Sequence, residues 1–303
     1  MRPWVCGAIC LLAYAGQARA NSVHVFDAPG ADITSARDID GGKTVGSYFD
    51  NATGWHGFGY DGSNLIPVDL PGVEQTLASG VDGAKVVGWY LQDRTYYGFV
   101  YEGANVTPLE APGARHTYAE GVDGGNVVGW YFDGMRNHGY LHDGTSWSFL
   151  DAPGAASTRP RDIDGGTIVG SYRDGSGTHG FLCDGVTWTA LDAPGAKTTY
   201  AYGIDGGNAV GYYIGGDSSW PRGFLYDGAT WTTLTVPGAL GTWVYGIDGD
   251  KVVGQYSDGA RSHGFVWALP QLNVIPEPVT LFAVPVALLA SALYTRRRRR
   301  EGR

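Results

Sequence analysis

The chain has 303 residues, of which 49 are glycine and 15 are proline, and its formal net charge is −9. Aromatic residues make up 13% and charged residues only 17%, which excludes a charge-rich disordered chain and a heptad coiled coil. The 13 basic and 29 acidic residues between Asn21 and Pro278 give this body a net charge of −16. Nucleic acid is therefore not an expected partner, whereas cations and neutral or amino sugars fit better.

The first predicted element is a signal peptide over residues 1–20. An apolar run extends from Val5 to Ala15, and the small residues Ala18 and Ala20 lie three back and one back from the predicted cut, as signal peptidase requires. The alternative is a buried first helix. After cleavage the body would keep one cysteine, Cys183, so no disulfide within it is expected.

Residues 21–270 contain six copies of one sequence unit. Four landmarks recur in step at spacings of 41 to 43 residues, which predicts an array, a solenoid or a propeller. The landmarks are Pro-Gly pairs beginning at Pro29, Pro71, Pro112, Pro153, Pro194 and Pro237; Asp-Gly pairs beginning at Asp40, Asp82, Asp123, Asp164, Asp205 and Asp248; Val-Gly pairs ending at Gly46, Gly88, Gly129, Gly170, Gly211 and Gly254; and Gly-aromatic pairs beginning at Gly57, Gly98, Gly139, Gly180, Gly223 and Gly264.

One unit, taken from Thr199 to Pro237, indicates four short antiparallel strands. Short β-rich runs flank Gly206-Gly207 and Asp227-Gly228, and a variable loop at 214–222 separates these two hairpins. Asp-Gly between such runs is a strong hairpin signal, because both turn residues need a positive φ. Four antiparallel strands are the content of one propeller blade.

The sixth copy stops after three strands, at Trp267, and the chain begins with one extra strand at Val23-His24-Val25-Phe26. This offset predicts that the N-terminal strand completes the last blade. We therefore predict an all-β fold: a six-bladed β-propeller of four-stranded repeats, about 41 residues each, over residues 22–269. A β-solenoid and two stacked sheets are the alternatives.

Two residue types recur where chemistry would be sought: the aspartate of each Asp-Gly pair, and a histidine at His56, His138, His179 and His263. A catalytic site needs one asymmetric constellation, so repetition favours structural roles. A ring of axial carboxylates that binds Ca²⁺ is the alternative. Its candidates are Asp38, Asp40, Asp162 and Asp164. We predict no catalytic residue and no other cofactor, since P-loop, zinc-ligand and serine-nucleophile motifs are absent from the sequence.

A binding face is predicted from the variation between copies. The loops after the second strand and after Pro-Gly vary, and strand alternation places both opposite the Asp-Gly turns. Aromatic rings there could stack on sugars and arginines could pair with carboxylates, although aromatic residues could instead fill gaps between blades. The candidates are Trp55, Tyr97, Tyr118, Arg161, Tyr200, Trp220 and Trp243, accompanied by Tyr96, Arg115, His116, Arg159 and Arg222.

The C-terminal segment has three parts that together suggest a sorting signal. They are a linker at 271–278 containing Pro276, Glu277 and Pro278, an uncharged 17-residue transmembrane helix at 279–295, and a basic cytoplasmic tail at 296–303. A generic tail anchor would meet the same needs. The order of the parts closely resembles the PEP-CTERM sorting signal. The resemblance implies a Gram-negative exporter, cleavage by an exosortase near Pro-Glu-Pro, and delivery to the cell surface or the exopolysaccharide matrix of a biofilm.

The body also resembles the HAF-type extracellular repeat, in which a Gly-Val-Val-Gly-like strand precedes His-Ala-Phe-Leu-Trp. The matching stretches are Val87-Gly88, Val128-Gly129, Val253-Gly254, His56-Gly57-Phe58, His138-Gly139-Tyr140, His179-Gly180-Phe181-Leu182 and His263-Gly264-Phe265-Val266-Trp267. Glycine replaces the alanine of the family, and Tyr97 and Arg222 replace the histidine. The resemblance implies an extracellular repeat protein and no particular activity.

Two functions fit these features. The first is a non-catalytic surface or matrix protein whose propeller binds polysaccharide or another protein. The second is a glycan lyase or hydrolase with carboxylates at the channel mouth. The expected processing partners are signal peptidase and exosortase, with membrane contact through the C-terminal helix before cleavage.

Overall fold

The computed structural model describes residues 22–269, except 104 and 217. The predicted signal peptide, sorting-signal linker, transmembrane helix and basic tail lie outside these residues. Regular structure within the described range consists of β-strands. No helix in that range is long and apolar enough to cross a membrane.

Twenty-four strands are described, and after β1 (Ser22–Phe26) they follow the six sequence units in order. Unit 1 holds β2 (Ile33–Asp40), β3 (Lys43–Asp50), β4 (Gly54–Tyr60) and β5 (Leu65–Pro67); unit 2 holds β6 (Gln75–Asp82), β7 (Lys85–Gln92), β8 (Thr95–Glu102) and β9 (Asn105–Leu109); unit 3 holds β10 (His116–Asp123), β11 (Asn126–Phe132), β12 (Asn137–His142) and β13 (Trp147–Leu150). Unit 4 holds β14 (Ser157–Asp164), β15 (Thr167–Arg173), β16 (Thr178–Cys183) and β17 (Trp188–Leu191); unit 5 holds β18 (Ala196–Asp205), β19 (Asn208–Gly215), β20 (Ser218–Tyr226) and β21 (Trp231–Leu234); unit 6 holds β22 (Gly241–Asp248), β23 (Lys251–Ser257) and β24 (Ser262–Ala268).

The glycine of each Val-Gly pair contacts the aromatic residue of the Gly-aromatic pair in the same unit. In unit 1, Gly46 pairs with Phe58 across β3 and β4, and the Phe58 ring is fully buried. A Cβ atom at Gly46 would lie 2.7 Å from Cζ of Phe58 and would collide with the carbonyl oxygen of Ser35. The same glycine–aromatic pair recurs as Gly88–Phe99, Gly129–Tyr140, Gly170–Phe181, Gly211–Phe224 and Gly254–Phe265.

The first strand of every unit contains a β-bulge. In unit 1 the register shifts between Ala36 and Asp38, so Arg37 has no partner on β3. A bulge interrupts the alternation of side chains and turns the extra residue in a new direction. The six bulge residues line a narrow axial cavity together with Asp38 and Asp162. They are Arg37, Ser79, Glu120, Arg161, Tyr202 and Tyr245.

The N-terminal strand supplies the fourth strand of unit 6. β1 pairs antiparallel with β24, from Ser22 opposite Ala268 to Phe26 opposite Gly264. The first strands of successive units contact one another, and β22 also contacts β2. Single parallel bridges join β24 to β2 and β16 to β18, so that the strands form two eight-stranded and two four-stranded sheets rather than six separate ones.

A threonine near the start of each first strand fixes the Pro-Gly connection that precedes it. Thr158 Oγ1, for example, accepts the backbone N–H of Ala152 at 3.0 Å, and Thr158 is fully buried. Leaving such a buried N–H unpaired would cost about 1–3 kcal/mol. The equivalent threonines are Thr34, Thr76, Thr117, Thr199 and Thr242.

Candidate functional site

The antiparallel units have two distinct ends. One end, the turn face, carries the Asp-Gly turns that join first to second strands and third to fourth strands. The other end, the loop face, carries the loops between second and third strands and the Pro-Gly connections. Because every strand in a unit reverses direction, these two sets of connections fall at opposite ends of the sheet.

On the turn face, five of the six recurring aspartates tie their unit to the next one along the chain. Asp40 Oδ2 accepts the N–H of Gly83 at 2.7 Å, and Asp164 Oδ2 accepts the N–H of Gly206 at 2.9 Å. Asp82, Asp123 and Asp205 bind Gly124, Gly165 and Gly249 in the same way. These carboxylates therefore serve contacts between units, a role that their repetition favours.

Asp38 and Asp162 precede the Asp-Gly aspartates of units 1 and 4 by two residues; Asp38 is buried and Asp162 is half-buried. Each carboxyl accepts the N–H of the following residue and one N–H from the next unit, from Val81 and Ile204 respectively. Burial raises the pKa of Asp38 to about 7, with smaller contributions from neighbouring aspartates. Burial also raises the pKa of Asp162, and the charge of Asp38 adds to that effect.

The Ca²⁺ prediction stays a prediction. A cleft of about 100 Å³ on the turn face is lined by aspartates from all six units. However, the described residues contain no group of three or more His, Cys, Asp or Glu arranged to hold a metal ion. All four candidate carboxylates, Asp38, Asp40, Asp162 and Asp164, already accept backbone N–H groups.

Arg161, a predicted member of the binding face, lies inside the axial cavity instead. Its Nη1 is 2.6 Å from Oε1 of Glu120, and both side chains are only 12% exposed. The guanidinium also lies over the ring of Tyr202, 4.8 Å from the ring centroid. The expectation from strand alternation was wrong here because Arg161 is the bulge residue of β14, between Pro160 and Asp162.

The other aromatic candidates fall into two groups and two outliers. Tyr200 stacks on Tyr212 at 5.0 Å, and Trp243 lies edge-on to Tyr212 at 6.5 Å. Both Trp243 and Trp220 approach Gly241, where an added Cβ atom would lie 3.0 and 3.2 Å from them. These four rings form an aromatic wall on units 5 and 6, and Trp220 is 44% exposed.

Tyr118 belongs to a second aromatic group, on units 2 and 3. Its ring stacks on Trp130 with a centroid distance of 3.9 Å and also contacts Trp89 and Tyr96. The outliers are Trp55, which packs on Phe49 in unit 1, and Tyr97, which stacks on Tyr90 in unit 2. A list read as one binding face in the sequence is thus distributed over several units.

Two clefts open on the loop face. The larger, about 220 Å³, lies on unit 4 with one lining residue each from units 3 and 5, and is called the arginine cleft. It is lined by Asn137, Ser157, Arg159, Ser171, Tyr172, Arg173, Thr178 and Tyr200. The smaller, about 140 Å³, lies between units 2 and 3 and includes Tyr96, Tyr97, Glu110, Arg115 and His116.

Ser176, His179 and Asp192 are arranged in the order of a Ser-His-Asp triad, which the sequence did not predict. His179 Nδ1 lies 2.8 Å from Oδ2 of Asp192, and Nε2 lies 2.8 Å from Oγ of Ser176. The hydrogen bond to Asp192 raises the pKa of His179, partly offset by burial. Ser176 donates its proton to Asp174 at 2.6 Å, so its oxygen is left to accept from the histidine. That direction is the reverse of the one a serine nucleophile requires.

The equivalent histidines support a structural interpretation of this arrangement. His138 and His263 each lie between two aspartates, and His56 lies between an aspartate and Thr53. Each of the four rings stacks on a tyrosine of the second strand. Each histidine therefore ties the end of a fourth strand to the adjacent loop.

Comparisons with known proteins place the chain by fold. No protein-family model matches it, and a search of curated proteins also finds no match. Among solved structures it is similar to TolB from Acinetobacter baumannii, with 14% identity, a TM-score of 0.53, and coverage of 75% of this chain and 67% of TolB.

Two other similar structures have lower TM-scores. The fucose-binding lectin of Aleuria aurantia, a six-bladed β-propeller, is 14% identical over 80% of this chain and 96% of the lectin, with a TM-score of 0.48. The β-propeller domain of the trilobed protease from Pyrococcus furiosus is 11% identical over 80% and 94%, also at 0.48. At these identities the likeness concerns the fold alone, and the TolB match carries it: the chain has an all-β, propeller-like fold.

Proposed function

We propose that the six units form a closed six-bladed β-propeller. The contact of β22 with β2 and the pairing of β1 with β24 support closure, since both bring the two ends of the described chain together. The turn-face cleft supports the same count, because its lining comes from all six units. In such a ring the first strands remain sheet edges, but they are short and each is covered by the first strands of neighbouring units.

We further propose that this propeller is a non-catalytic binding module whose loop face takes up polysaccharide or a protein partner, with polysaccharide favoured. The observation that carries the proposal is the arginine cleft with the aromatic wall beside it: a concave site bearing hydrogen-bonding groups next to the exposed ring of Trp220 and three half-buried rings. Both lie on loops and strand ends held by a repetitive scaffold, where binding residues commonly occur.

The glycan lyase or hydrolase alternative has less support. Its carboxylates would have to come from the channel, where Asp38, Asp162 and Asp164 each accept backbone N–H groups from the next unit. A general acid or base must reach its substrate within hydrogen-bond distance. Carboxylates committed to holding units together are poorly placed for that role.

The test of binding uses the full-length chain and exopolysaccharide from the producing organism. Trp220→Ala and Trp243→Ala should each weaken retention on the immobilised polymer about three- to tenfold, since each removes an aromatic ring from the wall. Phe149→Ala is the matched control, because Phe149 is 52% exposed and lies on β13, away from both clefts. Equal retention of all four proteins would contradict the proposal, and shortening of the polymer would favour the enzyme alternative.

We also propose that the protein is exported, anchored briefly by its C-terminal helix and then released to the cell surface or matrix. This proposal rests on the two terminal sequences alone. Replacing Pro276, Glu277 and Pro278 by alanine should leave the chain in the membrane fraction, whereas the native chain should be recovered outside the cell without residues 279–303. Release of the triple variant at the native rate, or an intact C-terminus on the secreted native protein, would contradict it.

A further inference from the structure

The arginine cleft carries positive charge on an otherwise acidic body. Arg159 and Arg173 both line it. Neither side chain has a carboxylate within ion-pair distance among residues 22–103, 105–216 and 218–269. The body has a net charge of −16, so unpaired arginines grouped in one cleft require a specific explanation.

The strand register puts the two arginines on one side of unit 4. Ser157 pairs with Arg173 and Arg159 pairs with Ser171 across β14 and β15, which makes the arginines diagonal neighbours. Diagonal neighbours on one face of an antiparallel pair are about 7–8 Å apart, within the reach of long side chains. The bulge that displaces Arg161 begins after Pro160, so it does not disturb this part of the register.

Arg159 is held in place before any ligand arrives. Its guanidinium lies 4.5 Å from the ring centroid of Trp130. With the Asn137 amide oriented so that its oxygen faces the guanidinium, Nε and Nη2 of Arg159 donate to that oxygen at 3.3 and 2.8 Å. Burial and the neighbouring Arg161 lower the pKa of Arg159. A bound anion would stabilise the charged form of a guanidinium held in this way.

The rest of the lining suits a sugar ring. Ser157 and Thr178 contribute hydroxyl groups, and Tyr200, whose ring stacks on Tyr212, contributes an aromatic side chain. A planar guanidinium matches a planar carboxylate through two parallel hydrogen bonds. The cleft thus combines donors for a carboxylate with polar and aromatic groups for the ring that bears it.

We propose that the arginine cleft recognises the carboxylate of a uronic acid residue in an acidic polysaccharide, with Arg159 and Arg173 as its donors. The inference rests on the proposed polysaccharide-binding function and names the ligand class of that same face. It also refines the expectation from net charge, which favours neutral or amino sugars: the global charge is negative, whereas the charge of this cleft is positive.

The test measures binding of the full-length chain to polygalacturonate, to its fully methyl-esterified form and to dextran. The native chain should bind polygalacturonate at least about tenfold more tightly than the ester, which has the same rings without the charge. Arg159→Gln and Arg173→Gln should each lower the affinity for polygalacturonate about tenfold, as expected for loss of a hydrogen bond to a charged group. Thermal melting of each variant verifies that the fold is intact.

Arg94→Gln is the matched control. Arg94 is an exposed arginine in the loop between β7 and β8, also on the loop face, and removing it changes the net charge equally. The affinity of the Arg94→Gln variant for polygalacturonate should match that of the native chain. An equal loss in Arg94→Gln would overturn the inference by showing a general charge effect, as would equal binding of ester and acid.

The inference and the proposed function fail in different ways. Retention of dextran or of the ester that depends on Trp220 but not on Arg159 would keep the polysaccharide-binding function and overturn the uronate assignment. Lack of binding to these three polymers and to the exopolysaccharide from the producing organism would overturn both. Dextran sulfate serves as a further arm: tighter binding to it than to polygalacturonate would overturn the carboxylate in favour of a sulfate ester.

Discussion

The turn face and the loop face are built from the same six units, yet the aspartates of the Asp-Gly turns and the arginines of the arginine cleft differ in the partners they have. On the turn face, aspartates such as Asp82 and Asp123 are engaged by the neighbouring unit. On the loop face, Arg159 and Arg173 have no carboxylate partner among the described residues. The recurring aspartates thus hold copies together, whereas the two cleft arginines, which have no counterpart in every copy, are available for recognition.

The largest effect is expected when a contact that recurs in every unit is disturbed, such as the one between Gly88 and Phe99. Gly88→Ala would place a Cβ atom against the carbonyl oxygen of Leu77 and 3.0 Å from the buried ring of Phe99. Because backbone must move to make room, we expect the free energy of unfolding to fall by more than about 3 kcal/mol. Denaturant unfolding measures this loss.

Gly175→Ala is the loop-face control for that experiment. Gly175 has no atom within 4 Å of an added Cβ, and its φ is not in the left-handed region. We expect a change within about 0.5 kcal/mol. Similar losses for the two variants would contradict the division between a packed repeat and a tolerant loop face.

A smaller effect should appear in the pH dependence of stability. In the folded chain Asp38 keeps its proton up to a pKa of about 7, whereas in the unfolded chain it loses the proton above about pH 4. The folded state therefore binds more protons in this window, and the free energy of unfolding should fall by a few kcal/mol between pH 4 and pH 7. Asp162, whose pKa is also raised, adds to the same trend.

Unfolding of the double variant Asp38→Asn/Asp162→Asn across this pH range tests the assignment. The variant should lose most of the slope, even though it is less stable overall because each amide can accept fewer N–H groups. Asp40→Asn leaves the carboxyl groups of Asp38 and Asp162 in place and should keep the slope. A native protein whose stability rises steadily from pH 4 to pH 7 would contradict the buried, protonated state.

Much of the fold could be predicted because the residues that recur in the sequence contact one another in the structure. Val-Gly and Gly-aromatic pairs recur in step since each glycine lies under the aromatic ring of the next strand, as Gly46 lies under Phe58. The pairing of β1 with β24 likewise follows from the missing strand in the last copy. Repetition reveals such contacts from one sequence because six copies must satisfy the same packing.

The site was less predictable because its residues occur once. Strand alternation misplaced Arg161, since a bulge that leaves no clear sequence signal turns its side chain toward the axis. The grouping of Trp220 with Trp243 depends on their shared approach to Gly241 from different strands. The sequence predicts Arg159 only as an accompanying residue of the binding face and does not indicate Arg173, because their common cleft is a product of register between strands.

We infer that the ligand binds at the loop face and that the Asp-Gly turns of the turn face serve only to hold neighbouring units together. Hydrogen–deuterium exchange of the full-length chain with and without polygalacturonate tests it most directly. Bound polymer should protect the amides near Arg173 to Thr178 and at the start of β18, which border the arginine cleft, and leave the Asp-Gly turns unchanged. Protection confined to the turns around Gly41 and Gly165 while the polymer is bound would contradict the account.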